Sequence, residues 1–395
     1  MSKVEWKFIG DICYISDYVS NGSFASLREN VQYKSEPDYA ILIRFADYSN
    51  GFDESKFVYV DEHAYKFLAK SELKSGDIIM SNVGSCGLYF ICPNLDRKMS
   101  LAPNSILIRS EYNRYFNHWF GSYQGSEDIK KITSKSAMPK FNKTEFKKIQ
   151  VPVPSQEEME KIVSALDTFT SSIENLKEQI ALRRKQYEYY RDQLLDLEGK
   201  DGAKNIKLEN IVSQDCSLSY GIVQPGDDVF EGVPVVRPVD LITTFVNRKG
   251  LKNTTKQISD SYKRTILKGN EILFCVRGTT GVMSLATQSL VGCNVTRGIV
   301  PISFDNEITK MFVYYQLKSR KLQKVIADKT NGTALKQINV KDLRQINLII
   351  PSLSEQQRIV GILDVFEESI QNLEAQLAGR EKQYEYYRNK LLTFK

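Results

Sequence analysis

The sequence is poor in histidine and has neither closely paired cysteines nor adjacent prolines. Only His63 and His118 occur in 395 residues, both in the first half. The six cysteines (Cys13, Cys86, Cys92, Cys216, Cys275 and Cys293) form no Cys-x-x-Cys pair. A structural zinc module needs thiolates or imidazoles at short spacing, so no metal site is expected. Two histidines make a His-based catalytic triad a poor fit. No Gly-x4-Gly-Lys-Ser/Thr loop occurs, which excludes nucleotide hydrolysis of the P-loop kind. Without a Pro-Pro pair, the Asn/Asp-Pro-Pro-aromatic turn of a methyltransferase is missing as well. No apolar run approaches the roughly 18 residues of a membrane span, and the opening MSKVEWKFIG lacks the apolar stretch of a signal peptide. Scattered thiols without such a leader point to a reducing, cytoplasmic setting.

What is present reads as globular. Hydrophobic residues make up 42% and charged residues 26%, which excludes wholesale disorder. The length allows two or three domains. One pattern resembles a metal-dependent nuclease: Pro37-Asp38 followed by Glu54-Ser55-Lys56. Such a site needs its acids and lysine on adjoining strands, where they converge on Mg²⁺. Here Glu54 follows Ser49-Asn50-Gly51, a turn signal, and the second half has no counterpart, so nuclease chemistry is not expected.

An internal repeat organises the chain. Residues 149–198 and 346–395 align without a gap at an offset of 197, with 25 identities in 50 positions. Both contain Lys-Gln-Tyr-Glu-Tyr-Tyr-Arg. Weaker echoes precede each copy in the same order. Ile43-Arg44-Phe45-Ala46-Asp47 matches Val236-Arg237-Pro238-Val239-Asp240, and Gly84-Ser85-Cys86-Gly87 matches Gly278-Thr279-Thr280-Gly281. The chain therefore alternates module, helix, module, helix, with bounds 1–154, 155–198, 199–351 and 352–395.

Each repeated segment predicts a long helix. Pro154-Ser155 and Pro351-Ser352 supply serine N-caps, with Glu158 and Glu355 at the capping-box position. Apolar residues then recur at alternating steps of four and three. The first stripe runs Ile162, Leu166, Phe169, Ile173, Leu176, Ile180, Arg183, Tyr187, Tyr190, Leu194, Leu197; the second runs from Ile359 to Phe394 in the same rhythm. This is a coiled-coil seam. The nearest equivalent partner for each stripe is its own copy, and a two-fold across the seam makes the helices antiparallel. Tyr187, Tyr190, Tyr384 and Tyr387 are expected to pack in the seam. Tyr189 and Tyr386 fall off it and are placed as solvated or partner-facing.

Charge separates the parts. The four segments carry net charges of +2, −4, +9 and −1 in order, giving +6 overall, so attraction for phosphate belongs to the modules. Lys130, Lys131, Lys135, Lys140, Lys143, Lys147 and Lys148 crowd one short segment. Lys318, Arg320, Lys321, Lys324, Lys329 and Lys336 crowd the matching one. The two Gly-x-x-Gly loops follow apolar, strand-like runs and predict tight hairpins. Such loops also allow close backbone approach to a phosphate, with Arg277 beside the second.

Two variable modules alternating with two near-identical coiled-coil helices resemble the specificity subunit of a type I restriction–modification system. The resemblance covers the whole chain. It rests on the Leu-Lys-x-Gly/Asn-Asp/Glu-Ile stretch with its Gly loop, on Val151-Pro152-Val153-Pro154 and Leu348-Ile349-Ile350-Pro351, on Ser354-Glu355-Gln356-Gln357, and on the paired tyrosine-rich tails. Gln156-Glu157-Glu158-Met159 departs slightly from the family run. The resemblance implies an α+β chain with two α/β target recognition domains separated by two long helices in an antiparallel, pseudo-two-fold coiled coil. It implies a non-catalytic subunit of a methyltransferase/endonuclease complex that binds double-stranded DNA. Each module would read one half of a bipartite, asymmetric site. The helices would set the spacer and dock two modification (methyltransferase) subunits, with restriction (motor-nuclease) subunits joining. S-adenosylmethionine, ATP and Mg²⁺ are expected in those partners, and no cofactor in this chain.

Residues proposed to contact DNA are polar groups on the module loops. They are Asn82, Ser85, Lys135, Ser136 and Lys140 in the first module, and Arg277, Thr279, Thr280, Asn331, Thr333, Lys336 and Gln337 in the second. Tyr189 and Tyr386 are placed at partner interfaces. The alternative is a non-catalytic coiled-coil scaffold or adaptor whose basic modules bind acidic proteins.

Overall fold

The computed structural model describes residues 4–332 and 336–394. Contacts divide the chain into two compact units, residues 1–177 with 375–395, and residues 178–374. Both are of the expected α+β kind.

In the first unit an antiparallel sheet has the strand order Tyr14–Asp17, Ser105–Arg109, Ile78–Ser81, Tyr89–Ile91. A second sheet has the order Tyr59–Val60, Ala40–Ile43, Lys98–Leu101, Glu72–Leu73, with its two middle strands parallel. The run Ile78-Ile79-Met80 is apolar throughout because both faces of its strand are covered. Alternation sends Ile78 and Met80 into a core with Trp119, Phe116 and Phe146, and Ile79 into a second core with Ile41, Phe90 and Leu107. The second unit repeats this. Ile272 and Phe274 face Phe312 and Tyr315, while Leu273 and Cys275 face Val236 and Leu290.

Each module is closed beside its long helix by a short antiparallel pair. Glu5–Phe8 pairs with Gln150–Val153, and Lys204–Lys207 pairs with Asn347–Ile350. The last strand of each pair leads straight into the capping serine. Ser155 Oγ accepts from Glu158 N–H at 3.4 Å, and Ser352 Oγ from Glu355 N–H at 3.4 Å.

The central helix, Gln156–Leu194, and the C-terminal helix, Leu353–Leu391, have 39 residues each, about 58 Å at 1.5 Å per residue. They pair antiparallel in both units. In the first, Phe169 stacks on Tyr387 with centroids 5.4 Å apart, and Lys177 meets Glu381 at 3.6 Å. In the second, Arg184 meets Glu374 at 2.5 Å, Tyr187 OH donates to Glu367 at 3.0 Å, and Tyr190 stacks on Phe366 at 5.6 Å.

Two details differ from the sequence expectation. Tyr187 is buried, but Tyr190 and Tyr387 remain 46% and 41% exposed. A pair of helices has no third helix to close the seam, so the outer ring faces stay in water. Leu195 and Leu392, off the apolar stripe, are buried. The regular helices end at Leu194 and Leu391, so the 3.6-residue period no longer governs the next residue, which turns into a module core.

The compact units consequently cut across the linear segments. The central helix begins in the first unit's core through Met159, Ile162 and Leu166 and reaches the second's through Tyr187, with Leu195 and Leu197 just past its end. The C-terminal helix does the converse, with Ile359 and Leu363 at its start and Leu392 at its end.

Candidate nucleic-acid interface

Both Gly-x-x-Gly segments are hairpin turns, joining Ile78–Ser81 to Tyr89–Ile91 and Ile272–Cys275 to Met283–Leu285. All four glycines have positive φ: +77° and +84° at Gly84 and Gly87, +90° and +88° at Gly278 and Gly281. A side chain is disfavoured there whatever the space. At the second glycine the space is also filled. A Cβ on Gly87 would meet Ile129 Cγ2 at 3.0 Å, and one on Gly281 would meet Ile326 Cγ2 at 3.3 Å. Ile129 and Ile326 come from matching helices, Tyr123–Ile132 and Arg320–Asp328.

Each hairpin is stitched to a second loop. Gly84 N–H donates to Pro139 O at 2.8 Å, and Phe141 N–H to Asn82 O at 3.1 Å. In the second unit Gly278 N–H donates to Lys336 O at 2.9 Å, and Ile338 N–H to Val276 O at 3.0 Å. The second loop is itself closed by Ser134 N–H on Lys140 O at 2.9 Å and by Asn331 N–H on Gln337 O at 2.8 Å. The repeat has kept the same hydrogen bonds in both copies while the side chains changed.

This gathers the proposed residues into one patch per unit. Ser85, Lys135, Ser136 and Lys140 are exposed on the first. Asn82 lies beneath it: its Nδ2 reaches Phe141 O at 3.5 Å, and its Oδ1 is buried without a partner among the described residues. On the second, Thr279, Asn331 and Lys336 are exposed, Arg277 and Gln337 half-buried. Thr280 Oγ1 donates to Lys336 O at 3.2 Å. Thr333 lies outside the described residues.

Much of the expected lysine charge is cancelled locally. Lys130, Lys131 and Lys148 pair with Glu127, Asp128 and Glu145 at 2.7–2.9 Å, and Lys143 with Asp17 at 3.1 Å. Lys318 pairs with Glu367, Arg320 with Asp192 and Lys321 with Glu198. Among the described residues no carboxylate pairs with Lys135, Lys140 or Arg277. Lys147 and Lys324, on helices, are likewise without a carboxylate among the described residues. The uncompensated charge thus lies on the loops and on the helices beside them, where the field of a phosphate backbone would act on it.

A second duplicated device underlies the echo between the two modules around Arg44 and Arg237. Arg44 forks onto Asp47 through Nε at 3.1 Å and NH2 at 2.6 Å; Arg237 forks onto Asp240 at 3.0 and 2.8 Å. The hydrogen-bonded carboxylates hold both guanidinium groups above their ordinary pKa. Its signal was the echo of Ile43–Asp47 in Val236–Asp240. Arg44 lines a cleft of about 560 Å³ with Ser85, Leu88, Asn104 and Val83. Val83 also lines an adjoining cleft of about 520 Å³ with Phe24, Arg28 and Tyr33. Val83 is apolar, so loop polarity gives no signal for it.

The nuclease-like pattern is not assembled as a site. Glu54–Lys56 forms one 3-10 turn, and Asp38 accepts from Lys34 Nζ at 2.6 Å. Among the described residues no cluster of three or more His, Cys, Asp or Glu is placed to hold a metal, and no helix is long and apolar enough to cross a membrane.

Tyr189 and Tyr386 are 58% and 60% exposed. Each meets its neighbour edge-on, Tyr189 with Tyr190 at 5.3 Å and Tyr386 with Tyr387 at 5.2 Å. Tyr189 lines a cleft of about 440 Å³ with Glu188, Asp192, Asp196 and Arg320. There Asp192 Oδ1 accepts from Arg320 N–H at 3.0 Å, as Asn389 Oδ1 accepts from Tyr123 N–H at 2.7 Å in the first unit.

Comparison with known proteins agrees with this architecture. The chain is 30% identical over 267 residues to the type I restriction enzyme EcoR124I/EcoR124II specificity subunit of Escherichia coli, covering 63% of each chain. It is 26% identical over 277 residues to the EcoBI specificity subunit of the same organism, covering 63% of this chain and 58% of that one. The matches thus span about three fifths of these relatives' lengths. The crystal structure of a type I restriction–modification S subunit from M. genitalium shares the fold, with a TM-score of 0.56 at 12% identity, covering 100% of this chain and 97% of that one. Residues 1–183 and 231–379 match the family described as type I restriction modification DNA specificity domain, and the chain belongs to that family.

Proposed function

We propose that this chain is the DNA-specificity subunit of a type I restriction–modification complex. Each unit reads one half of a bipartite, asymmetric duplex site through its hairpin and companion loop. The paired helices set the spacer and, through the surfaces around Tyr189 and Tyr386, dock two methyltransferase subunits, with motor-nuclease subunits joining. The chain itself is non-catalytic and acts in the cytoplasm; S-adenosylmethionine, ATP and Mg²⁺ fall to its partners. One observation carries this reading: the same three backbone hydrogen bonds of hairpin and loop recur in both units with different polar side chains, as two readers of unlike sequences require. The adaptor reading leaves that difference without a role.

The test is methylome sequencing of cells carrying this chain with its methyltransferase partner. A two-part, asymmetric methylated motif with a fixed spacer is expected. A continuous or palindromic motif, or methylation independent of this chain, refutes the proposal.

A further inference from the structure

The stitching of hairpin to loop sets two residue pairs face to face. Val83 bridges Lys140, and Arg277 bridges Gln337, both antiparallel. Residues directly opposite on antiparallel strands present their side chains on one face, with Cβ atoms about 4.5–5.5 Å apart. Each pair is therefore a single two-residue surface. Matching backbone hydrogen bonds flank the two pairs, at 2.8 and 3.1 Å in one unit and 2.9 and 3.0 Å in the other.

Their chemistry is opposite in arrangement. The hairpin residue is aliphatic in the first unit and a guanidinium in the second; its partner is an ammonium in the first and an amide in the second. Some matched positions keep their type: the glycines, Ile129 and Ile326, Arg44 with Asp47 and Arg237 with Asp240. Others change, such as Asn82 and Val276 or Pro139 and Lys336, but among the described residues the two pairs are the ones that bridge hairpin to loop. Variation at a fixed place in a preserved frame is the mark of a position that selects.

We propose that these cross-strand pairs are the specificity-determining residues of the two units, Val83 with Lys140 for one half-site and Arg277 with Gln337 for the other. The inference rests on the DNA-reading function proposed above. A guanidinium fork fits guanine O6 and N7, and a carboxamide fits adenine N6 and N7. An ammonium takes the guanine acceptors without the fork's second fixed donor, and an aliphatic group offers only contact such as that with a thymine methyl. The two units put different demands on the same groove position, so their half-sites differ there.

The experiment transplants one pair into the other frame. Wild-type chain, the double variant Val83→Arg with Lys140→Gln, and the single variant Arg277→Lys are each assembled with the methyltransferase partner. Each complex is offered a randomised duplex library, and methylated molecules are sequenced. The double variant is expected to change base preference within one half-site, by roughly 5- to 100-fold at the affected pair, with the other half and the spacer unchanged. Arg277→Lys is expected to relax the opposite half-site alone. An unaltered motif in both variants, or an equal loss at every sequence, overturns the inference. Copurification with the methyltransferase separates such a loss from failed assembly. Absence of any bipartite motif with the wild-type chain defeats the underlying function instead.

Discussion

His118 and Tyr315 stand at the same place in the two repeats and grip equivalent helix carboxylates. His118 Nε2 lies 2.7 Å from Asp167 Oδ1 in the first unit; Tyr315 OH donates to Asp364 Oδ1 at 2.5 Å in the second. Each contact ties a module helix to the long helix that follows it. The first is backed by Tyr384 OH, 2.9 Å from His118 Nδ1, and by Arg114 on Asp167 at 2.5 Å.

The substitution of imidazole for phenol makes the first contact sensitive to acid. Burial lowers the His118 pKa below 6.5, against the pull of Asp167; Arg388 and Arg114 nearby lower it further. Below pH 6.5 the unfolded chain therefore takes up a proton that the folded chain resists, and stability falls as pH drops through the folded pKa. Asp167, held low by Arg114 and His118 despite its burial, loses its contribution only at more acid pH. His118→Gln keeps a hydrogen-bonding side chain and removes the titration. Thermal melts between pH 7 and 5 should show a shallower decline for this variant than for wild type; equal slopes would refute the assignment.

The two glycines of the first hairpin should differ in cost. Gly84→Ala faces open space and meets only the left-handed backbone, about 1–2 kcal/mol. Gly87→Ala bears the same strain and also drives Cβ onto Ile129 at 3.0 Å. Urea unfolding should rank Gly87→Ala as the more destabilised.

Lys135 and Lys130 lie five residues apart, but only Lys130 is neutralised, by Glu127 at 2.7 Å. Lys135→Ala should reduce the salt dependence of DNA binding by about one unit of log–log slope. Lys130→Ala should leave it unchanged. Fluorescence anisotropy over a salt series, with the partner present, separates the two.

Tyr386→Ala removes an exposed ring that rests edge-on against Tyr387 and contributes little to the core. It should weaken association with the methyltransferase about tenfold or more, within the range of an interface anchor, while the melting temperature stays near wild type. Sedimentation or calorimetric titration gives the affinity, and unaltered affinity for this variant and for Tyr189→Ala would remove both from the interface.

How far the sequence could be read follows from where each signal lay. The helix starts were legible because a proline, a serine cap and a glutamate occur twice at one offset. The hairpins were legible because glycines bracket them after apolar runs. Antiparallel pairing followed from the likeness of the two stripes. The His118–Asp167 contact was hidden because its partners are 49 residues apart and its counterpart uses a tyrosine. Neutralisation of Lys130 and Lys131 depends on acids three residues earlier, which a count over the segment obscures. Val83 carries no polar group to mark it, and only the bridge to Lys140 shows its place.

The exchange of helix ends has a thermodynamic corollary. Leu392 fills the first unit's core but hangs on a helix rooted, through Ile359 and Leu363, in the second; Leu195 is held in the reverse sense. Each long helix therefore takes part in both cores, so the melting of the two should be coupled; two well-separated transitions in a calorimetric scan would refute it.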